Sequence, residues 1–251
     1  MFLPASRREY RDYLRYRRRR GALITMVMLL VTGAAIAVLH GHAQPAGRHH
    51  RPASHAPRSS RARTQDSPAT AGQGLTWVDF HGIQLPVSAH DGPRSTRRGL
   101  ARGFTDTPRG ALLAAINIGV RTAALWGPAI YTPTITRQVT GPDAAALLNA
   151  DTSSYRALQA AAHVPAGQPA GRGYAVEAAY RFVAWSPADA TVDIVTEGPG
   201  SSGATVLAVT RIEVLWQRGD WRLVAPPSGD WANSAASLSS LTGYISFRGE
   251  G

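Results

Sequence analysis

The sequence predicts an α+β protein: one N-terminal membrane-spanning helix, then one domain of about three helices packed on a curved antiparallel sheet of about four strands. Three observations carry this expectation. Gly21–Leu39 holds nineteen residues without a charge. At about 1.5 Å of helix per residue, that length just spans the roughly 30 Å hydrocarbon core of a bilayer. Farther along, Thr107-Pro108 opens a stretch with apolar residues spaced by three and four, and from Tyr174 onward the apolar period falls to two.

The flanks of the apolar run set its expected orientation. Arg7, Arg8, Arg11, Arg15, Arg17, Arg18, Arg19 and Arg20 lie directly before it, and no arginine lies between Gly21 and Gly47. Because cytoplasmic flanks collect positive charge, the N-terminus is expected inside the cell membrane and the remainder outside. A secretory signal peptide is the rival reading, with Gly41-His42-Ala43 as a passable cleavage site. The run exceeds the usual apolar core of a signal, which favours an uncleaved anchor. The eight arginines are the candidate contact residues: they attract anionic lipid, at about 1 kcal/mol each near the surface, or dock a cytoplasmic partner. The expected organisation is therefore a basic cytoplasmic lead (1–20), a transmembrane helix (21–39), a disordered Pro/Arg/His-rich linker (40–74) and an exported α+β domain (75–251).

The formal charge of +11 suggests a nucleic-acid protein until it is divided along the chain. Residues 1–74 hold 13 arginines and 3 acidic residues, whereas residues 75–251 hold 14 and 13. The exported part is thus nearly neutral and lacks the electrostatic footprint of direct nucleic-acid binding. The chain has no cysteine, which excludes disulfides, thiolate metal sites and cysteine nucleophiles. His40, His42, His49, His50 and His55 lie in the linker without carboxylates or regular spacing, so they read as a solvated spacer and not as a metal site.

Within the domain, Leu75–Pro86 reads as an extended entry strand with Trp77 and Phe80 as its core contacts. Arg94, Arg97, Arg98 and Arg102 form a basic patch in a turn-rich loop. Thr107 is a suitable N-cap and Pro108 a suitable first helical residue. Leu112, Leu113, Ile116 and Val120 then form an apolar stripe, and Ala115, Gly119 and Ala123 permit close approach to a sheet. This helix is expected to end near Trp126-Gly127-Pro128. Two shorter helices follow, one over Ala144–Asn149 and one capped by Asp151 with Tyr155, Leu158 and Ala162 on one side. Pro165–Gly173 is a loop.

The strands follow in sequence. Tyr174, Val176, Ala178, Tyr180 and Phe182 mark one face of the first, with Glu177 and Arg181 on the other. Thr191–Glu197 and Thr205–Gln217 are the second and third, and Arg218-Gly219-Asp220 turns the chain tightly into Trp221–Ala225. The tail is small and polar until Leu241, Tyr244, Ile245 and Phe247, which are expected to fold back onto the domain.

No catalytic pattern of adequate specificity occurs, and no cofactor is implied. The sequence has no G-x-S-x-G, H-E-x-x-H, P-loop or S-x-x-K arrangement. His81, His90 and His163 are widely separated. Asp106 is expected to support a helix N-terminus, and Asp193, Glu177 and Glu213 to lie on the solvated face of strands. Asn117 is expected to be a satisfied core amide or solvent-facing. The six tryptophans read as core or interface anchors.

Gly103-Phe104-Thr105-Asp106-Thr107-Pro108-Arg109-Gly110-Ala111, the Ala-rich helix after it, and the Gly-Asp-Trp-Arg-Leu-Val run at Gly219–Val224 resemble a class of actinobacterial single-pass membrane proteins encoded by conjugative elements. The layout is also similar to bitopic scaffold subunits of type IV secretion machines. That resemblance implies a cone-like exported domain of the nuclear-transport-factor-like type. It implies a non-enzymatic assembly role through contacts with other subunits of a transfer apparatus and with copies of the chain itself. The alternative it leaves open is a membrane-tethered enzyme or small-ligand-binding domain that uses the cavity of the cone.

Overall fold

The computed structural model describes residues 67–200 and 204–248. The apolar run Gly21–Leu39, the eight arginines before it and most of the expected linker lie outside the described residues. Among the described residues, no helix is long and apolar enough to cross a membrane. The part of the expected linker that is described, Ser67–Gly74, packs on the domain. Ser67 caps a 3-10 turn over Pro68–Thr70, and Ala71 is fully buried.

A hairpin of β1 (Thr76–Phe80) and β2 (Ile83–Val87) forms its own two-stranded sheet. The expected single entry strand is therefore two, turned at His81-Gly82, both of which have positive φ. Such a two-residue turn matches the twist of the flanking strands. Next comes α1 (Pro108–Thr122), with Pro108 in its first turn and the Thr107 hydroxyl accepting from Gly110 N at 3.0 Å. Fourteen of its fifteen residues are buried, so it is a central helix enclosed on nearly all sides and not an amphipathic one. Gly119 is what lets the sheet approach: a Cβ there would stand 3.3 Å from Ile212 Cδ1.

Two helices follow. α2 (Pro128–Gln138) corresponds to nothing in the sequence periodicity. Its Thr132, Thr134 and Thr136 alternate as a strand would, and Pro133 lies inside it, removing one backbone donor. The Thr134 and Thr136 hydroxyls donate back one turn, to Ile130 O (2.8 Å) and Thr132 O (2.8 Å). α3 (Ala144–Ala162) is one continuous helix where two were expected. Asp151 is not a cap but a buried residue in its middle.

The main sheet has seven strands, not about four. β4 (Val176–Trp185), β5 (Asp189–Pro199), β6 (Thr205–Gln217) and β7 (Asp220–Val224) are the expected meander. The Arg218-Gly219 turn between the last two has both φ values positive. The additional strands are short. β3 (Val139–Thr140) runs parallel to β7, and β9 (Ile245–Ser246) pairs with β4. β8 (Ala235–Leu238) pairs with Leu207–Thr210 of β6. The physical reason for β8 is that β7 covers only Val214–Gln217, leaving the first half of the long β6 with open backbone groups. The spatial order is β3-β7-β6-β5-β4-β9, with β8 beside β6. Ile245 and Phe247 of the tail pack on the core, as the sequence suggests.

The start of α1 is held by a buried carboxylate from the preceding loop. Asp91, not the exposed Asp106, performs this role. Its Oδ1 accepts from the Thr105 and Thr107 hydroxyls at 2.7 and 3.2 Å, and the Arg109 guanidinium lies 3.7 Å from Oδ2. Burial pushes the Asp91 carboxyl up, but hydrogen bonds from Thr105, His90 and Thr107 outweigh this and hold it below the usual carboxylate value. Arg109 in turn donates to Ala71 O (3.0 Å) and Thr70 O (3.3 Å), fastening the 67–74 segment. Replacing Asp91 by alanine leaves Arg109 buried without its counter-charge and strips the threonines of their acceptor. We expect a loss of about 3 kcal/mol in denaturant unfolding of the full-length protein. A loss below about 1 kcal/mol would show that the clasp is not a stabilising element.

Candidate functional site

Between α1 and the inner face of the sheet lies a partly open cavity of about 40 Å³. Ile116, Gly119 and Val120 of α1 form one wall, and Ile194 of β5 and Ile212 of β6 the other. Its polar lining is Thr122, Glu177, Thr196 and Thr210, and Trp231 stands at its edge. Trp231 begins a short 3-10 segment capped by the Asp230 side chain. Its indole N–H donates to Thr122 Oγ1 at 3.3 Å, while that hydroxyl donates to Gly119 O at 2.7 Å.

Glu177 is one of two acids expected on the solvated face that the structure buries. Strict alternation puts it on the solvated face opposite Tyr180, yet it is 3% exposed. The cause is a β-bulge: the register between β4 and β5 shifts between Glu177 and Ala179. One extra residue in a strand inverts every side chain before it. Glu177 thus shares the inner face with Tyr180, and the two alanines between them fit either side. Burial alone raises the carboxyl to about 8, and Oε2 has no hydrogen-bond partner. Burial thus favours the uncharged form of Glu177, in which it can donate a hydrogen bond.

Two further buried ionisable groups lie apart from the cavity lining. Asp151 of α3 is raised to about 7 by burial, against a hydrogen bond from the Ala124 backbone, and its Oδ2 is unpartnered. Arg121 of α1 is pulled down to about 10 by burial. Its Nη1 donates to Asn117 O (2.8 Å) and Oδ1 (3.0 Å), and its guanidinium lies 4.3 Å from the Phe80 ring centroid. Asn117 is the satisfied core amide, fully buried and donating to Pro86 O and Leu113 O. Among the described residues no group of three or more His, Cys, Asp or Glu is placed to hold a metal ion.

The opposite face of the sheet carries a second carboxylate in the reverse state. Asp193 was also expected in solvent and is 2% exposed. Its register partners on either side are Arg181 and Arg211. Arg181 Nη2 donates to it at 2.7 Å, and Arg211 donates through Nε and Nη2 at 2.8 and 3.1 Å. Burial pushes the Asp193 carboxyl up, but the hydrogen bonds from Arg211 and Arg181 prevail and hold it below the usual value. Both arginines remain largely exposed, and Arg181 lies 4.5 Å over the Tyr244 ring. Glu213 is exposed, as are Arg94, Arg97, Arg98 and Arg102 of the expected basic loop.

These shifts have a testable sign. Glu177 and Asp151 bind their protons more tightly folded than unfolded, so each contributes stability that falls as pH rises from its unfolded value toward its folded one. His81, lowered chiefly by burial, acts in the opposite sense, but only up to about its unfolded value near 6.5. Between pH 6.5 and 8 we therefore expect the full-length protein to lose stability, at a limiting slope of about 1.4 kcal/mol per pH unit for each acid. Glu177→Gln should flatten the upper part of that slope. A wild-type profile flat across this interval would contradict the buried-acid assignment.

No curated protein and no solved structure matches the chain. One family model does, over residues 41–246, and that stretch takes in the cavity, the bulge and the clasp at the start of α1. With most of its length matched, the chain belongs to the family described as a domain of unknown function, DUF8175.

Proposed function

We propose that the protein is a non-enzymatic assembly subunit of a conjugative, type IV secretion-like DNA-transfer apparatus, acting through protein–protein contacts of its folded domain. In this reading Gly21–Leu39 anchors it in the cell membrane with the N-terminus in the cytoplasm. The arginines from Arg7 to Arg20 meet anionic lipid, and the folded domain outside contacts copies of itself and other subunits of the apparatus. Residues 75–251 have no direct role in nucleic-acid binding.

The observation that carries this reading is where the outer two of the three stretches resembling conjugative-element proteins fall. They close on each other. The Asp220 carboxylate accepts from Gly103 N (2.9 Å) and Phe104 N (3.2 Å), and the Trp221 indole donates to Thr105 O (2.8 Å). The motif residues build a rigid frame, which leaves contact with partners to the surface that frame supports. On that surface Arg181 and Arg211 are fixed by one buried aspartate beside Tyr244. Arginine and tyrosine are the residue types that most often anchor interfaces, and a pre-fixed side chain loses little entropy on binding.

Crosslinking in intact cells, followed by identification of what is captured with the domain, tests the proposal. Other envelope subunits and a transfer ATPase are the expected catch; recovery of the protein alone would refute it. Arg181→Ala should leave the fold intact, because Arg211 still holds Asp193 through two hydrogen bonds. We expect it to reduce capture of partner subunits about fivefold or more, the effect of a single interface anchor. Undiminished capture would place the interface elsewhere.

A further inference from the structure

A carboxyl group buried in a cavity without a partner leaves a hydrogen-bond network incomplete. Glu177 is such a group: it lines the cavity, is 3% exposed, and its Oε2 has no partner among the described residues. The Thr122 hydroxyl is engaged by Gly119 and Trp231. The hydroxyls of Thr196 and Thr210, on neighbouring strands of the same wall, carry no hydrogen bond among the described residues. The rest of the lining is aliphatic. Available donors and acceptors are therefore gathered at one side of an otherwise apolar space.

We propose that this cavity is a binding site for a small, uncharged aliphatic molecule ending in a group that both accepts and donates a hydrogen bond, of the carboxamide or undissociated carboxylic acid class. The ligand's acceptor receives a hydrogen bond from the Glu177 carboxyl O–H, and its donor meets the carbonyl oxygen of the same carboxyl or a threonine hydroxyl. Its aliphatic end lies among Ile116, Val120, Ile194 and Ile212. The volume of about 40 Å³ sets the size. A water needs about 10–15 Å³ measured this way, so about three or four heavy atoms fit. An ammonium ion is excluded on energetic grounds, because it and the carboxylate it requires would both have to leave water. Entry is past Trp231, which is only half-buried, lies in a four-residue 3-10 segment and is tethered through one indole hydrogen bond of 3.3 Å.

The test uses the purified full-length protein with acetamide as the probe and ethylammonium as the charged control of similar size. The Trp231 indole resonance, assigned by its loss in Trp231→Phe, reports occupancy. Acetamide should shift it saturably with a dissociation constant in the region of about 1 mM, as the ceiling on affinity per atom allows. Glu177→Gln, whose amide also donates and accepts, should bind within about threefold of wild type. Glu177→Leu should weaken binding at least tenfold while melting no lower than wild type, since it replaces an unpartnered buried polar group by an apolar one of similar size. Should that variant not fold, Thr210→Val is expected to weaken binding severalfold. The proposal is overturned if ethylammonium binds as well as acetamide, if the Glu177→Leu and Thr210→Val proteins bind acetamide unchanged, or if no saturable shift appears up to about 0.1 M, in which case the cavity holds water only.

Discussion

A helix enclosed on nearly every side must find all its polar partners inside the protein, and α1 sets that demand for the whole fold. Its sequence is not purely apolar: Arg109, Asn117, Arg121 and Thr122 are all buried. Each is answered by a different neighbour. Arg109 meets Asp91 and the carbonyls of residues 70 and 71. Asn117 meets a carbonyl of β2, and Arg121 bonds to Asn117 beneath Phe80 of the hairpin. Thr122 meets Trp231. The 67–74 segment, the β1–β2 hairpin and the Trp231 turn are thus outlying pieces recruited to cover one helix. Leaving any of these groups unpaired in the interior would cost on the order of 1–3 kcal/mol.

The same sheet holds two acids in opposite states, and only their surroundings differ. Asp193 lies under two guanidinium groups that supply three hydrogen bonds. Glu177 has isoleucine, valine and threonine around it, no cation among the cavity lining, and an unpartnered oxygen. Desolvation acts on both; in the first it is outweighed and in the second it is not. The result is a charged, pre-fixed outer row and an inner acid whose uncharged form is favoured. Separation of this kind puts a charged row and a mostly apolar cavity on opposite faces of one sheet.

How much of this was legible in the sequence follows from what periodicity can and cannot report. α1 was visible because Thr107-Pro108 and the Leu112–Val120 spacing agree with each other. β4 to β7 were visible because each is long enough to alternate. Val139–Thr140, Ala235–Leu238 and Ile245–Ser246 are too short to show any period, and they pair because longer strands leave backbone groups open to them. α2 was hidden by Pro133 and its alternating threonines, whose strand-like pattern is overridden by tertiary packing of Tyr131 and Ile135 in the core. Glu177 was hidden by the bulge. Ala178 and Ala179 are small enough for either face, so nothing in the local pattern marks where the alternation breaks. The one available signal was a glutamate in a strand whose neighbours are all small or apolar.

Two of the three stretches that carry the resemblance also limit what that resemblance means. Gly103–Ala111 supplies the backbone donors and the helix cap, and Gly219–Val224 supplies the carboxylate and the indole that receive and complete them. Neither of these two contributes a side chain to the cavity or to the Arg181–Asp193–Arg211 row, but the Ala-rich helix between them, the third, lines the cavity with Ile116, Gly119, Val120 and Thr122. A relative that keeps these runs therefore keeps the junction between α1 and the β6–β7 hairpin. It is free to change the sheet wall of the cavity and the outer face without disturbing that junction. Shared motifs of this kind report a shared frame, and differences in partner or ligand among such proteins are to be sought at the bulged strand and at the arginine row.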